Sequence, residues 1–184
     1  MAEQELEIDF RPIKPGDRLT GLSLGEEFVP LKTFLQRKAR KFEDKNLART
    51  YAAFHGTKIV GYITLVCGEV SVKDGDSNPI DEDDYDYKHF PAIKVARLAV
   101  DSKRRKFGIG RTLVELALGI AKDTICPAVG CRFVMVDSKK QSMDFYVKCG
   151  FTMLDTQENR DRDHPIMFID LHKLPKPNGA ANSQ

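Results

Sequence analysis

The stretch from Val95 to Arg111 limits the possible folds of this chain more than any other part of the sequence. Its first half is a short apolar run, which predicts a buried strand. Its second half is basic, has glycines at positions 108 and 110, and leads into an apolar helical pattern that begins at Leu113. A strand, a glycine loop and a helix N-terminus in this order direct backbone N–H groups at one spot, where a phosphate group can bind.

Two common glycine motifs are excluded at this loop. A mononucleotide P-loop needs G-x-x-x-x-G-K-[ST], and no such run occurs in the chain. A dinucleotide-binding loop needs G-x-G-x-x-G, and the third glycine is missing. Taken alone, the remaining G-x-G pair is compatible with a phosphate site and also with a simple turn before a helix.

Arg105-x-x-Gly108-x-Gly110, which follows Leu98-Ala99-Val100, resembles the acetyl-CoA-binding motif of the GNAT acetyltransferases. A second stretch, D-F-Y-V-K-C-G-F at residues 144–151, resembles the F-Y-x-x-x-G-F stretch near the C-terminus of that family. The resemblance implies that loop amides bind the pyrophosphate of acetyl-CoA and that the preceding strand pairs with its pantetheine arm. The residues it assigns to this cofactor are Leu98, Ala99, Val100, Arg105, Lys106, Phe107, Gly108, Ile109, Gly110 and Arg111.

The residue patterns predict the element order β-α-β-β-β-α-β-α-β-β, in agreement with the GNAT order. The predicted fold class is α/β (α+β), a single GNAT domain over residues 1–174 with a mixed sheet and helices on both faces. Residues 175–184 have few apolar side chains and are expected to be a disordered tail. Local expectations are a strand at 6–11, one helix face from Phe28 to Phe42, a helix break at 126–130, a capping box at 138–141 and a polar connection at 156–165.

An acidic segment divides the charge of the chain unevenly. Residues 74–86 contain seven acidic side chains and no lysine or arginine. Without them, the 27 acidic residues of the chain fall to 20 against 29 basic ones, so the body of the domain is basic. A basic body favours a phosphate-rich partner. We expect residues 67–91, which contain the acidic segment, to form an insert loop on the surface.

Composition excludes several other classes. No apolar run approaches the roughly 18 residues that a membrane span needs. The acidic start, M-A-E-Q-E-L-E, is unlike a signal peptide, so we expect a cytoplasmic protein without a membrane partner. The four cysteines have no C-x-x-C spacing, so we expect reduced thiols and no metal site.

The front half of the chain resembles one branch of the GNAT family, the toxins of bacterial toxin–antitoxin pairs, which acetylate the amino group of aminoacyl-tRNA. The similar stretches are Leu24 to Glu27, Asn46 to Tyr51 and Val60 to Leu65. Two features depart from that branch, because Leu24-Gly25 stands where those toxins commonly have Cys-Gly, and because the acidic insert is unusual. The resemblance also allows for an antitoxin partner and for a homodimer, although no sequence pattern identifies an interface.

The resemblance places Tyr146 where the family tyrosine protonates the thiolate of CoA, so Tyr146 is the candidate catalytic acid. The backbone N–H that follows Leu98 is the candidate donor to the thioester carbonyl. Glu69 and His89 are weaker candidates for a general base, and a water relay is an alternative to both. An α-amine, with a pKa of about 7.7–8.0, needs less help from a base than a lysine with a pKa of about 10.4.

Acetylation of aminoacyl-tRNA by a translation-inhibiting toxin is therefore the first functional hypothesis. The alternatives are a GNAT enzyme that acetylates a protein N-terminus, a lysine or a small amine, and a CoA-binding regulatory module without catalysis. The acidic insert favours a cationic substrate. The basic side chains of the helix expected from Phe28 to Phe42 favour tRNA instead. The candidate phosphate-binding residues for a tRNA substrate are Arg37, Lys38, Arg40, Lys41 and Arg97.

Overall fold

The structure, a computed structural model, describes residues 7–80 and 87–175, which contain one seven-stranded mixed sheet. The sheet order is β1-β2-β3-β4-β5-β7-β6. Only β4 and β5 pair in parallel, and the other neighbouring strands are antiparallel. The strands are β1 (Asp9–Pro12), β2 (Arg49–His55), β3 (Lys58–Ser71), β4 (His89–Val100), β5 (Phe133–Asp137), β6 (Thr152–Met153) and β7 (Ile166–Asp170).

Six α-helices connect the strands within the described residues. They are supplemented by 3₁₀ turns at 26–28, 102–104 and 140–142 and by a π-helical segment at 120–125. The helices are α1 (Val29–Arg37), α2 (Ala39–Asp44), α3 (Ile109–Gly119), α4 (Cys126–Ala128), α5 (Met143–Lys148) and α6 (Gln157–Asp161).

Apolar side chains alternate along the strands and so bury both faces of the sheet. In β3, Ile63 packs in a cluster with Leu113 and Tyr146 from α3 and α5. Its neighbour Tyr62 packs on the opposite face, in a cluster with Leu35 from α1. This period of two is what a strand covered on both sides requires. The predicted mixed sheet with helices on both faces is confirmed.

The two parallel strands separate and leave a fork in the sheet. Strand β4 pairs with β5 only from Ala92 to Lys94. Beyond that point β4 continues to Val100 with β3 as its remaining neighbour in the described sheet. The edge of β4 over residues 95–100 therefore faces the fork, where its backbone groups are available to a ligand.

The register between β3 and β4 determines which backbone groups face the fork. The N–H of Asp101 donates to the carbonyl oxygen of Val60 at 2.9 Å, and the register continues with Tyr62 opposite Ala99. Antiparallel residue pairs alternate between hydrogen-bonded and non-hydrogen-bonded pairs. The backbone groups of Ala99 therefore point toward β3, whereas those of Leu98 and Val100 point toward the fork.

The insert between β3 and β4 is shorter than the sequence predicts. Cys67 pairs with Ile93, and Ser71 pairs with His89, so the expected boundaries at 67 and 91 are wrong at both ends. The strands extend because Val70 and Phe90 are buried together in a third apolar cluster. Residues 81–86 of the acidic segment lie outside the described residues, as do residues 176–184 of the expected tail.

Several predicted element boundaries shift. The first strand begins at Asp9, since residues 7 and 8 are not in a strand, and residue 6 lies outside the described residues. The helix expected through Phe42 is divided at Lys38 into α1 and α2, and this division lets the rings of Phe34 and Phe42 meet edge to face at 5.3 Å. The polar connection at 156–165 contains α6, where the Thr156 side chain caps the N–H of Asn159 at 3.1 Å.

The helix break expected at 126–130 is confirmed, because the helical run that begins at Ile109 ends at Ala128 and Val129 is extended. The expected capping box at 138–141 does not form, since the Ser138 hydroxyl donates to the carbonyl of Lys139 at 3.0 Å. Gly150, in contrast, ends α5 with a φ of 93°, as predicted.

No helix among the described residues is long and apolar enough to cross a membrane. The four cysteines are free thiols. The Sγ of Cys126 donates to the carbonyl of Cys131 at 3.0 Å, and burial raises the pKa of the Cys131 thiol to about 11. A thiol with a raised pKa is less reactive, which is consistent with a packing role for this residue.

Candidate active site

A cavity of about 530 Å³ occupies the fork between β4 and β5. It reaches from the N-terminus of α3 on one face of the sheet to the segment before α1 on the other face. The side chains and backbone around it come from four parts of the chain, which meet only because the strands separate here. The lining residues are Leu24, Glu27, Phe28, Leu31, Leu98, Ala99, Val100, Arg105, Gly108, Gly110, Arg111, Gln141, Ser142, Phe145 and Tyr146.

The N-terminus of α3 forms an anion site at one end of this cavity. Gly108 has a φ of 72°, a left-handed conformation that glycine adopts without strain, and it turns the chain into the helix. The first intrahelical donor is the N–H of Thr112, which bonds to the carbonyl of Gly108 at 3.0 Å. The N–H groups of residues 109–111 therefore have no acceptor within the helix. With the guanidinium groups of Arg105 and Arg111 beside them, they suit a phosphate group.

Gly110 sets the distance between α3 and α5. A Cβ at this position would lie 3.3 Å from the ring of Phe145 and 3.4 Å from Cγ2 of Val100. The absence of a side chain thus lets the helix N-terminus approach both the strand and α5. This close approach brings the anion site next to the part of the cavity that Tyr146 lines.

The open edge of β4 supplies backbone hydrogen-bonding groups along the cavity wall. The register directs the groups of Leu98 and Val100 outward, and both residues line the cavity. The N–H that follows Leu98 in the sequence belongs to Ala99 and points toward β3. The predicted carbonyl donor is therefore wrong by one residue, and the outward donors are the N–H groups of Leu98 and Val100.

Tyr146 is buried, with 7% of its surface exposed, and its ring packs edge to face against Phe145 and Phe151 at 5.1 and 5.3 Å. Its hydroxyl has no hydrogen-bond partner among the described residues. No buried side-chain oxygen or nitrogen in the described part of the chain lacks a partner, so this hydroxyl is accessible from the cavity. Burial raises the pKa of Tyr146 far above its ordinary value, and the nearby Cys149 contributes in the same direction. The phenol therefore keeps its proton at neutral and alkaline pH.

The remaining residues assigned to acetyl-CoA do not line the cavity. Ile109 is buried in the core, where its Cγ2 would lie 2.9 Å from a Cβ on Gly61. Lys106 and Phe107 are exposed on the loop, and Phe107 keeps 57% of its surface accessible. The guanidinium of Arg104 lies 5.5 Å from the Phe107 ring. Any contact of Lys106 or Phe107 with a ligand would thus be made from outside the cavity wall.

The structure brings together four of the five candidate tRNA-binding residues. Arg37, Lys38, Arg40 and Lys41 are exposed around the junction of α1 and α2, where Arg40 also donates to the carbonyl of Asp17. The fifth candidate, Arg97, lies on β4 and not at this junction. Its guanidinium lies 3.7 Å above the ring of Phe34, and the residue does not line the cavity.

The two candidate bases lie outside the cavity and contact each other. Nδ1 of His89 and Oε1 of Glu69 are 2.8 Å apart, and the Ser71 hydroxyl donates to the same carboxylate at 2.6 Å. These hydrogen bonds lower the pKa of Glu69, which favours its ionised form. Both side chains are more than half exposed and belong to a separate surface depression, so neither can act on a substrate in the cavity without large movement.

Sequence reasoning missed one wall of the cavity and the residue that anchors it. Phe28 and Leu31 matched the helical core pattern and were expected in the interior, yet both line the cavity with Leu24 and Glu27. Asp101 is buried at 3% exposure, and its Oδ2 accepts the N–H of Ser23 at 2.9 Å. Only the position of Asp101 directly after the strand offered a sequence signal for it.

The chain is similar to proteins of known activity. It is 26% identical over 154 residues to a tRNA-acetylating toxin of Mycobacterium tuberculosis (strain ATCC 25618 / H37Rv). The aligned region covers 79% of this chain and 85% of the relative. The structure of AtaT complexed with acetyl-methionyl-tRNAfMet matches with a TM-score of 0.76, at 21% identity, over 90% of this chain and 96% of the other.

A mutant of AtaT bound to the C-terminus of the antitoxin AtaR and to acetyl-CoA matches with a TM-score of 0.70, at 20% identity. This match covers 90% of this chain and 94% of the other. At such identities the two structural matches establish the fold. The model of the acetyltransferase (GNAT) family matches residues 18–151, which is most of the chain and includes the glycine loop and Tyr146. The chain therefore belongs to the GNAT acetyltransferase family.

Proposed function

We propose that this acetyltransferase transfers the acetyl group of acetyl-CoA to the α-amine of aminoacyl-tRNA and thereby acts as a translation-inhibiting toxin. The observation that carries the proposal is the cavity at the fork. It joins an anion site at α3 to a buried, protonated tyrosine, and its lining includes Leu31 of α1, the helix that leads into the basic junction with α2. The relative from Mycobacterium tuberculosis is named a tRNA-acetylating toxin, which supports the same activity here.

The residues of the cavity fit acetyl-CoA. Its pyrophosphate would bind the N–H groups of residues 109–111 and the guanidinium groups of Arg105 and Arg111. Its pantetheine arm, which carries amides, would pair with the outward backbone groups of Leu98 and Val100. When bound, acetyl-CoA supplies an activated acetyl group as a thioester.

Three groups of this chain would then promote the transfer. An outward N–H of β4 donates a hydrogen bond to the thioester carbonyl oxygen and stabilises the negative charge that develops there. Nucleophilic attack forms a C–N bond and breaks the C–S bond, and the Tyr146 hydroxyl provides the proton to the departing thiolate. The apolar rings of Phe145 and Phe151 around Tyr146 keep that hydroxyl in its neutral form.

An α-amine suits a site whose two predicted bases lie outside the cavity and whose lining carboxylate, Glu27, already accepts a hydrogen bond from Gln141. Its pKa of about 7.7–8.0 leaves a useful neutral fraction near pH 7. Glu69 and His89 lie outside the cavity, and a lysine acceptor would need such a group. The proton released from the amine after attack passes to water in this proposal, and the Tyr146 phenolate takes a proton back from water, so that each turnover ends with neutral Tyr146.

The basic side chains at the junction of α1 and α2 would bind the phosphates of the tRNA. Arg37, Lys38 and Lys41 are exposed on the elements that follow the cavity wall of residues 24–31 in the chain. Such contacts give affinity that falls as salt concentration rises. Translation takes place in the cytoplasm, so we propose that the protein acts there. By analogy with AtaT and AtaR, we also propose an antitoxin as its protein partner.

Transfer of labelled acetyl from acetyl-CoA to a pool of charged tRNA, compared with the same pool after deacylation, tests the proposal. We expect label on charged tRNA alone and its loss in Tyr146→Phe. No label with intact acetyl-CoA binding would contradict the proposal and favour a protein or a small amine as acceptor. Growth arrest on expression, relieved by Tyr146→Phe, is the expected result in cells, and unimpaired growth would contradict the toxin assignment.

A further inference from the structure

The end of β3, residues 67–71, has a neighbouring strand on one side only within the described residues. Its pairing with β2 stops at Leu65, which lies opposite Arg49. On the other side its pairing with β4 continues as far as Ser71, which lies opposite His89. Residues 67–71 therefore form an edge of the sheet, which we call the open edge of β3.

The alternation of hydrogen bonds along β3 determines which backbone groups the open edge presents. The carbonyl of Val60 accepts the N–H of Asp101, and the N–H of Val72 donates to the carbonyl of Lys88. Even-numbered residues of β3 thus point toward β4, and the extra residue at the register shift lies in β4, so the alternation in β3 is unbroken. The odd-numbered residues point outward, and those of the open edge are Cys67, Glu69 and Ser71.

These outward residues are accessible to another chain. All three are exposed, and their backbone N–H and carbonyl groups have no backbone partner among the described residues. A row of unpaired backbone groups at a sheet edge is a template for pairing with a further strand. Extended peptides bind to many proteins by adding a strand at such an edge.

Glu69 gives the open edge its charge, since it is the only charged residue between positions 67 and 71. Its Oε1 accepts the Ser71 hydroxyl at 2.6 Å and lies 2.8 Å from Nδ1 of His89. Both contacts use the same oxygen, which leaves Oε2 available to a cationic group. These hydrogen bonds lower the pKa of Glu69, so the carboxylate is ionised at neutral pH.

The chain that continues from the open edge is also acidic. Residues 74–86 contain seven acidic side chains and no lysine or arginine. The lysines that flank this segment are already paired, Lys73 with Glu158 and Lys88 with Asp74. A strand that carries lysine or arginine would therefore complement the charge of this part of the protein.

A second copy of this chain fits the open edge less well than a basic peptide does. In an antiparallel pair that uses the whole open edge of both copies, each Glu69 lies directly opposite the Glu69 of the other copy. Like charges directly opposite each other destabilise a strand pair. A different chain with lysine or arginine at this position replaces that repulsion with an ion pair.

We propose that the open edge of β3 is a docking site for an extended, lysine- or arginine-containing segment of a partner protein, which adds to the sheet as a further strand. The outward backbone groups of Cys67, Glu69 and Ser71 provide the main-chain hydrogen bonds. The carboxylate of Glu69 provides the preference for a basic segment. None of these residues lines the cavity, so the inference does not depend on the acceptor of the acetyl group.

The first test measures binding of a capped seven-residue peptide, in which lysine and threonine alternate, to the full chain by isothermal titration calorimetry. The control peptide has glutamate in place of lysine. We expect the Kd of the lysine peptide to be lower by at least about 5-fold. No binding of the lysine peptide, or equal affinity of the two peptides, would overturn the inference.

Two N-methylated forms of the lysine peptide test whether it adds as a strand. One form carries methyl groups on the backbone nitrogens of its lysines, and the other carries them on those of its threonines. Because a strand uses only alternate residues to bond one neighbour, we expect one form to lose affinity by at least about 10-fold and the other to keep it. Loss in both forms, or in neither, would overturn the inference.

Variants of Glu69 test the location of the docking site. Glu69→Pro removes the outward N–H without removing a hydrogen bond between β3 and β4, and we expect it to weaken binding of the lysine peptide by at least about 10-fold. Glu69→Lys should abolish the preference for the lysine peptide. Asp123→Lys makes the same change of charge at an exposed position away from β3 and should keep that preference.

Binding of acetyl-CoA, which should be unchanged in all three variants, shows that each is folded. An unchanged preference in Glu69→Lys would overturn the inference. Sedimentation tests the other occupant of the edge. If the unaltered protein is a dimer and Glu69→Pro is a monomer, the open edge pairs with a second copy, and the inference is overturned.

Discussion

The carboxylate of Asp101 joins the cofactor loop to the backbone of Ser23, a residue 78 positions earlier in the chain. Its Oδ2 accepts the N–H of Ser23 at 2.9 Å, and its Oδ1 accepts the N–H of Lys103 at 3.0 Å. The N–H of Ser102 also donates to the carbonyl of Ser23 at 2.9 Å. One buried side chain thus fixes the turn after β4 and the wall that leads into α1.

Replacing Asp101 should therefore affect both stability and binding. Asp101→Ala leaves the N–H donors of Ser23 and Lys103 without their acceptor, so we expect the free energy of unfolding to fall by about 1–2 kcal/mol. We also expect KM to rise for acetyl-CoA and for the acceptor, since both binding surfaces lose their connection. Urea denaturation and steady-state kinetics measure these effects. Asp123→Ala, at an exposed position, is the control, and equal stability of the two variants would contradict the assigned role.

The close approach of Gly110 to the Phe145 ring predicts that a side chain at position 110 weakens the binding of acetyl-CoA. Gly110→Ala places a methyl group 3.3 Å from the Phe145 ring, which must shift or push α3 away. We expect the affinity for acetyl-CoA to fall about 10-fold, as calorimetry would measure. Gly119→Ala is the matched control, because a Cβ there meets nothing within 4 Å. We expect this control to raise stability by about 0.5–1 kcal/mol without changing affinity. Unchanged affinity in Gly110→Ala would refute the packing argument.

Two buried tyrosines should respond in opposite ways to loss of their hydroxyl groups. The Tyr146 hydroxyl has no partner among the described residues, so Tyr146→Phe should leave the free energy of unfolding almost unchanged and lower kcat by about 100-fold or more. Tyr62→Phe removes the donor to the carbonyl of Leu31 and should cost about 1 kcal/mol of stability. A stability loss in Tyr146→Phe with unchanged kcat would show that the residue is structural.

Burial raises the pKa of Tyr146, and this shift has a consequence for the pH dependence of kcat. The protonated phenol is the form that gives a proton to the thiolate, and a raised pKa preserves this form as pH increases. We therefore expect kcat to show no loss from ionisation of Tyr146 up to about pH 10, the ordinary pKa of a tyrosine. A pH–rate profile checks this, and a decline of kcat centred below pH 10 that disappears in Tyr146→Phe would contradict it.

The local features of the site were predictable from the sequence, whereas its far wall was not. The glycine loop and the helix after it are encoded within a short stretch, where Gly108 takes the left-handed φ that the turn requires. The position of Phe28 and Leu31 depends instead on distant partners such as Tyr62 and Asp101. A helical period alone does not distinguish a side chain that fills the core from one that lines a cavity. The sequence also predicts too short a β3. The strand extends to Ser71 because burial of Val70 with Phe90 outweighs the polar composition around them.

The ion pair between Arg11 and Asp17 predicts a dependence of stability on pH. Two guanidinium nitrogens of Arg11 lie 2.8 and 2.9 Å from the Asp17 carboxylate, which also accepts the N–H of Lys14 at 2.7 Å. These bonds lower the pKa of Asp17 below its ordinary value of 3.8. The stabilisation is therefore complete above that value and is lost as pH falls through the lower pKa of the folded state.

We accordingly expect Asp17→Asn to lower the free energy of unfolding by about 1–2 kcal/mol at neutral pH. The difference from the unaltered protein should shrink as pH falls below about 3.8, where the carboxylate of the unaltered protein takes up its proton. Urea denaturation at several pH values measures this difference. A difference that stays constant down to the acid limit would indicate that charge on Asp17 makes no contribution.

Salt dependence of tRNA binding distinguishes phosphate contacts from general attraction. Lys38 and Lys41 are exposed at the junction of α1 and α2, and the proposed phosphate contacts include both. Each contact contributes about 0.7–0.9 to the slope of log affinity against log salt concentration. The double variant Lys38→Ala/Lys41→Ala should reduce that slope by about 1.4–1.8 and should leave acetyl-CoA affinity unchanged. Lys73→Ala removes one exposed cation that already pairs with Glu158 beyond the end of β3, and it should leave the slope unchanged. An equal slope in all three proteins would place the tRNA on another surface.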